Sequence, residues 1–411
     1  MKNGGIRLSL YINYFIFAIL LNSVGIVILK SINVYQVSET SASVLEAFKD
    51  LPIAIVSFMV ASFLPRIGYK KSMLLALIIV MLGCVMMIFG NSFNAAKILF
   101  AMVGVAFALI KVSVYSVIGL ITKDKNEHNS LMSSVEGVFM FGIALAYFLF
   151  PAFNSEANQD AWLNVYWLLS GLCLLSFLFL LFSPFDEGNE IPGANLGDDF
   201  KQMFALITKL LVIVFLIGAF LFVMMEQGIM TWLPTFNNKV LNLPENASVM
   251  MASILAISLG AGRLLAGALA KKVSWFWITL VSIIISMLLV TFLLPQAMNA
   301  NVGPIQSFSD IPFIGYAFPL IGLFLGPIYP LLNSAILSAL PKRLHSPMTG
   351  LIIIFSALGG TLGSRVIGWL FEHVGGEKAF FYTLIPMGLL ILVLVILNKL
   401  TNTKKEVIEV V

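Results

Sequence analysis

Ser183–Phe200 reads SPFDEGNEIPGANLGDDF and is the longest polar connection in the chain. Its glycines, prolines and acidic residues describe a flexible linker. Six apolar runs precede it, at 8–29, 47–64, 73–90, 97–121, 130–152 and 162–182. Six more follow, at 209–233, 248–270, 275–294, 311–338, 348–371 and 379–400. Each is close to the roughly 20 residues a helix needs to cross a bilayer, and the alternating ten-residue segments of a membrane barrel are not seen. The predicted fold is all-α and polytopic, with twelve transmembrane helices in two six-helix bundles, 1–182 and 204–411, joined by a linker over 183–203.

The composition agrees. Of 411 residues 60% are hydrophobic and 11% are charged, against about 25% charged in soluble domains. So few ionic side chains could not cover a water-exposed surface, which excludes an ordinary cytosolic enzyme, a disordered scaffold and a nucleic-acid binder. The net charge of +4 comes from scattered loop residues and forms no basic run. Cys84 and Cys173 lie within apolar stretches and imply no disulfide. His128, His345 and His373 stand apart, without metal-ligand spacing, and no phosphate-binding Gly-Lys-Ser/Thr loop occurs. No metal, cofactor or ATP motor is expected.

Lys2 and Arg7 precede the first run, Leu8–Leu29, which is longer than the ~7–15 residues of a cleavable signal core and reads as a retained helix. With that end inside, sixteen basic residues fall in cytoplasmic connections; Lys30, Lys49, Lys97, Lys239 and Lys378 fall outside. The bias predicts cytoplasmic termini and an inner-membrane location. Trp162, Trp232, Trp275, Trp277 and Trp369 fall near predicted helix ends, as in an interfacial aromatic belt.

The halves repeat. Ala61–Lys71, ASFLPRIGYKK, follows the second run, and Gly267–Val273, GALAKKV, follows the eighth, 206 residues later. With the helix count and the six-plus-six division, these loops resemble the major facilitator superfamily, whose loop pattern is Gly-x-Leu-Ala-Asp-Arg-x-Gly-Arg-Lys. Arg66, Gly68 and Lys70 match it, while Ala61 and Pro65 replace the glycine and the aspartate. Gly262-Arg263-Leu264-Leu265-Ala266-Gly267 is the second copy. Within the superfamily the helix pattern is similar to the fucose and hexose permeases, although Lys111 stands in the fourth helix and Asn13 and Asn22 in the first, where acids are characteristic. Arg263 and Arg365 resemble the cations that oxalate–formate and monocarboxylate carriers place in helices 8 and 11. The resemblance implies a conformational role for Arg66, Gly68, Lys70 and Gly267, and a central cavity lined by helices 1, 4, 7 and 10. It also implies that helix 5 meets helix 8 between the halves.

Charges at membrane depth cost roughly 2.5–3.5 kcal/mol on insertion scales and face a cavity or a partner. Lys111, Glu136, Glu226, Arg263 and Arg365 qualify. Read by depth, Lys111–Glu136 and Glu226–Arg365 form ion pairs, or Glu136 reaches Arg263 across the halves and carries a proton. Three cations against two acids leave room for an anionic substrate group. A neutral sugar would instead be held by Asn22, Tyr115, Gln227 and Asn333. Gly322-x-x-x-Gly326 and Gly359-x-x-x-Gly363 permit close helix approach, and Pro319, Pro327 and Pro330 make the tenth helix a bend point. The expected protein is a monomeric alternating-access carrier of a small polar organic solute, a sugar or an organic anion. It is coupled to the proton, with sodium second. Lipophilic drug export and a non-transporting sensor are the alternatives.

Overall fold

The computed structural model describes residues 4–122, 125–155, 157–184, 196–298, 308–341 and 344–402. The described residues are helical, and eleven helices among them are long and apolar enough to cross a membrane. In chain order we label α1 Gly4–Val34, α2 Val44–Ile67, α3 Tyr69–Gly90, α4 Phe93–Ile121, α5 Lys125–Leu149 and α6 Asn164–Phe182. There follow α7 Leu210–Lys239, α8 Glu245–Leu269, α9 Trp275–Met298, α10 Phe313–Ala339, α11 His345–His373 and α12 Leu384–Asn402. α2 is the twelfth long helix; it has 24 residues and carries Glu46, Lys49, Asp50 and Arg66. Part of the expected linker is helical, at Leu196–Ile207. Residues 185–195 lie outside the described residues.

Local chemistry sets the helix ends. Gly68 before α3 has φ +93° and Gly375 after α11 has φ +100°, a region costly to residues with a Cβ. Ser92 starts α4 by accepting from the Ala95 amide at 3.2 Å, satisfying one of the donors a helix start leaves open. α1 is interrupted at Ser23, whose hydroxyl turns back to the Leu20 carbonyl at 2.8 Å. α10 is the most broken: a 3₁₀ turn at Phe318–Ile321 contains Pro319, and the helix stops at Leu325 and resumes at Ile328 beyond Gly326 and Pro327. Proline removes an amide donor and clashes with the preceding turn, so the helix is interrupted at Pro319 and Pro327.

The chain forms two compact units, one of Met1–Val37 with Leu45–Leu196, the other of Ser38–Val44 with Gly197–Val411. In the first, α1 packs on α5 and α6, and α3 on α6; in the second, α7 packs on α11 and α12, and α9 on α12. The repeat seen in the loops thus recurs in the helix pairing. Glycines mark its closest contacts. A Cβ on Gly142 of α5 would meet the Phe15 carbonyl of α1 at 2.9 Å, and one on Gly359 of α11 would meet the Phe220 carbonyl of α7 at 2.5 Å. One on Gly104 of α4 would collide with the Lys49 carbonyl of α2, and one on Gly322 of α10 would sit 2.6 Å from the Leu255 carbonyl of α8. Both expected glycine pairs therefore serve backbone-to-backbone packing.

Burial separates inner from outer helices. The membrane window of α1 is 89% buried, that of α7 67% and that of α4 61%, against 33% for α6. Trp162 and Trp232 are fully buried, so these two leave the expected aromatic belt, while Trp277 and Trp369 remain exposed. The Trp232 indole donates to Ser364 Oγ at 3.0 Å, and core packing holds it there. Cys84 and Cys173 are free thiols, each buried, on the paired helices α3 and α6.

Candidate functional site

Two polar clusters form at membrane depth, one in each unit. In the first unit, α4 carries Lys111 and Tyr115 one turn apart, so both side chains lie on one face. The Tyr115 hydroxyl donates to Glu136 Oε1 of α5 at 2.6 Å. The Lys111 ammonium sits 5.9 Å from the Phe107 ring centroid, within cation–π range, and acts on Glu136 at longer range. Tyr14 of α1 completes the wall, with centroid distances of 6.2 Å to Tyr115 and 5.5 Å to Phe139. Glu136 therefore takes its direct hydrogen bond from Tyr115, where the sequence reading paired it with a cation.

In the second unit, Arg263 of α8 donates to Glu226 Oε1 of α7 at 3.4 Å. This corrects the expected Glu226–Arg365 pair. Counting residues along each helix placed Glu226 and Arg263 at different depths, but the count follows Cα positions. Cα–Cβ bonds tilt toward the helix N-terminus. In antiparallel α7 and α8 the two long side chains therefore lean toward each other. Glu226 is buried, with side-chain exposure of 9%, and Arg263 keeps 36%. Beside them on α10, Tyr329 stacks on Phe222 at 5.8 Å and its hydroxyl meets Ser356 Oγ of α11 at 2.9 Å. Asn333, one turn beyond, is near the same hydroxyl. Its Oδ1 is buried and accepts no hydrogen bond among the described residues. Tyr329 is the cluster member that sequence reasoning missed; its spacing of four from Asn333 was the available signal. Gln227 is half-buried next to Glu226.

Arg365 has another task. It donates to the Thr40 carbonyl and, at 3.4 Å, to Ser43 Oγ. Glu372 Oε2, two helical turns on, accepts from the Thr40 amide at 3.0 Å, and Lys239 pairs with Glu39. Arg365 and Glu372 thus hold both backbone groups of Thr40, and the segment Ser38–Val44 is fastened to α7 and α11.

Other candidate residues have local roles. The Asn22 amide donates to the Ala18 carbonyl at 2.9 Å, within its own helix. Lys70 donates to the carbonyls of Leu181 and Ser183 at 3.0 and 2.7 Å, closing the end of α6. Nothing lies within 4 Å of a Cβ built on Gly267, so no close packing calls for glycine there. The Arg66 side chain lies outside the described residues. Lys49, counted above among outer connections, is buried with Glu46 and Asp50. It pairs with Glu46 and stands 3.4 Å from Asp50 Oδ1. Sequence reading missed this triad because it sits where an apolar run begins.

The sequence profile of the Major Facilitator Superfamily matches residues 10–364. The chain belongs to the Major Facilitator Superfamily. Solved structures of that fold resemble it along almost its whole length. A bacterial homolog of the human lysosomal transporter Spinster, inward-facing and occupied, has a TM-score of 0.77 at 14% identity and 97% coverage of both chains. A D-xylose–proton symporter has 0.68 at 15%, covering 98% of this chain and 100% of its own. The superfamily transporter FucP, in the outward conformation, has 0.63 at 11%, covering 97% and 99%. At these identities the likeness is one of fold. No curated protein sequence matches the chain.

Proposed function

We propose that this superfamily member is a secondary active carrier that moves a small polar organic solute by alternating access, coupled to protons. The observation that carries the reading is the pair of polar clusters at membrane depth, each with one cation, one carboxylate and aromatic walls. Intramembrane ionisable groups are expensive and usually mark a solute or ion path. Lys111 with Glu136, and Glu226 with Arg263, each sum to zero charge, and Arg365 is engaged by backbone. Arg365 lies at the Thr40 carbonyl and Ser43, outside both clusters, so neither cluster holds a surplus cation that would call for an anionic substrate. An uncharged, hydroxyl-rich solute such as a sugar suits the site best. Asn333 Oδ1 is an open acceptor for one of its hydroxyls, since buried polar atoms ordinarily have partners, and Tyr329 and Phe222 offer stacking faces.

Glu136 is the carboxylate we assign to proton coupling. Among the described residues its hydrogen bond comes from the neutral Tyr115 hydroxyl, whereas Glu226 has a direct cationic partner. Orientation with both termini in the cytoplasm and residence in an inner membrane rest on the distribution of basic residues. A thermal-shift screen of the purified protein against monosaccharides, nucleosides, amino acids and carboxylates tests the reading. A ligand at 100 times its Kd stabilises by about 2.7 kcal/mol. Stabilisation by a sugar that disappears in Asn333→Leu supports it; stabilisation by lipophilic cations alone would favour an exporter.

A further inference from the structure

Between α8, α9 and α10 a groove of about 310 Å³ opens on the flank of the second unit. Leu265 and Leu269 of α8, Trp277 and Val281 of α9, and Phe324 and Pro327 of α10 line it. The first four are about half exposed, so the groove is open along its side. The sequence explains the hollow. α10 breaks at Gly326–Pro327, and Gly262 lets α8 press against the carbonyl of Leu323. The backbones meet on one side of α10, and the break leaves the other side unfilled.

One end of the groove is chemically marked. Leu269 and Val273 both line it and bracket a closed turn, in which the amides of Lys272 and Val273 donate to the Leu269 carbonyl at 2.9 Å. That turn sets Lys271 and Lys272 at the mouth, both exposed. Trp275 and Trp277 follow at once, the residues preferred at a membrane–water interface. From Val273 to Ile285, another lining residue, the slot runs roughly 15–18 Å at helical rise.

We propose that this groove binds one acyl chain of an anionic phospholipid whose headgroup is held by Lys271 and Lys272. Two adjacent cations complement a phosphate with a net negative charge, and juxtamembrane basic residues draw such lipids. A zwitterionic lipid brings its own cation and gains less. A chain seated there rests on the interruption of α10 and on the turn of α8 next to Arg263, so lipid occupancy sets the position of both helices beside the polar cluster.

Native mass spectrometry of the full chain tests this with dioleoylphosphatidylglycerol against dioleoylphosphatidylcholine. The wild type should retain the anionic lipid preferentially. Attraction of about fivefold per lysine predicts a loss on the order of 25-fold in that preference for Lys271→Gln/Lys272→Gln. Val281→Trp, which fills the slot and leaves the lysines in place, should also lower retention. Equal retention of the two lipids by the wild type overturns the proposal. Retention undiminished by Val281→Trp overturns the acyl slot, and a preference that survives the lysine changes overturns the headgroup site.

Discussion

The Tyr115 hydroxyl and the Glu136 carboxylate, 2.6 Å apart, tie α4 to α5 at membrane depth. If Glu136 carries the coupled proton, Glu136→Gln should leave solute counterflow in proteoliposomes near wild type while abolishing accumulation on an imposed pH gradient. Tyr115→Phe should slow accumulation by roughly tenfold, as a hydrogen bond to a charged group contributes about 1.5–3 kcal/mol. Undiminished accumulation by Glu136→Gln would remove the carboxylate from the coupling step.

Glu226 and Arg263 invite a double-mutant cycle. Glu226→Gln leaves the arginine without its carboxylate. A buried pair loses about 3–5 kcal/mol when one partner goes, but Arg263 is 36% exposed. About 1–3 kcal/mol is therefore expected in thermal unfolding. Adding Arg263→Gln should recover part of that loss. Strictly additive costs would mean the two residues do not interact.

Two glycines should respond in opposite directions. Gly363→Ala drives a methyl into the Met224 carbonyl of α7, whose carbon would be 2.8 Å away, and overpacking of this kind costs about 1–3 kcal/mol. Gly267→Ala meets nothing within 4 Å and should be neutral or gain up to about 1 kcal/mol from helix propensity. If Gly267→Ala instead impairs transport in a stable protein, the glycine has a conformational role that packing does not reveal.

Arg365 and Glu372 should govern the order of Ser38–Val44. Arg365→Gln is expected to raise hydrogen exchange of the Thr40 amide by about tenfold, which corresponds to roughly 1.4 kcal/mol of lost local stability. Glu372→Gln should do the same by weakening the acceptor of that amide. Unchanged protection in both variants would show the segment is held by its other contacts, the Lys239–Glu39 pair and packing against Gly368 and Trp232.

Much of this architecture was legible because membrane helices must satisfy their own backbone. Their lengths, the glycine pairs of α10 and α11 and the turn at Gly68 all follow from one-dimensional patterns. The partners of charges did not. Arg263 meets Glu226 because side chains lean toward their own helix N-terminus, which on antiparallel helices means opposite directions in space. Arg365 binds a main-chain carbonyl, for which residue identity leaves no trace. Lys49 looked like a loop lysine because Glu46 and Asp50 flank it, yet those two acids are what allow it to be buried.

Both native thiols, Cys84 and Cys173, are sealed inside α3 and α6. A maleimide in water should therefore find the unaltered protein inert, and a single cysteine placed on the segment Ser38–Val44 would label alone. Spin or fluorescent probes could then follow the transport cycle without first removing a native cysteine, sparing the close packing of α3 on α6.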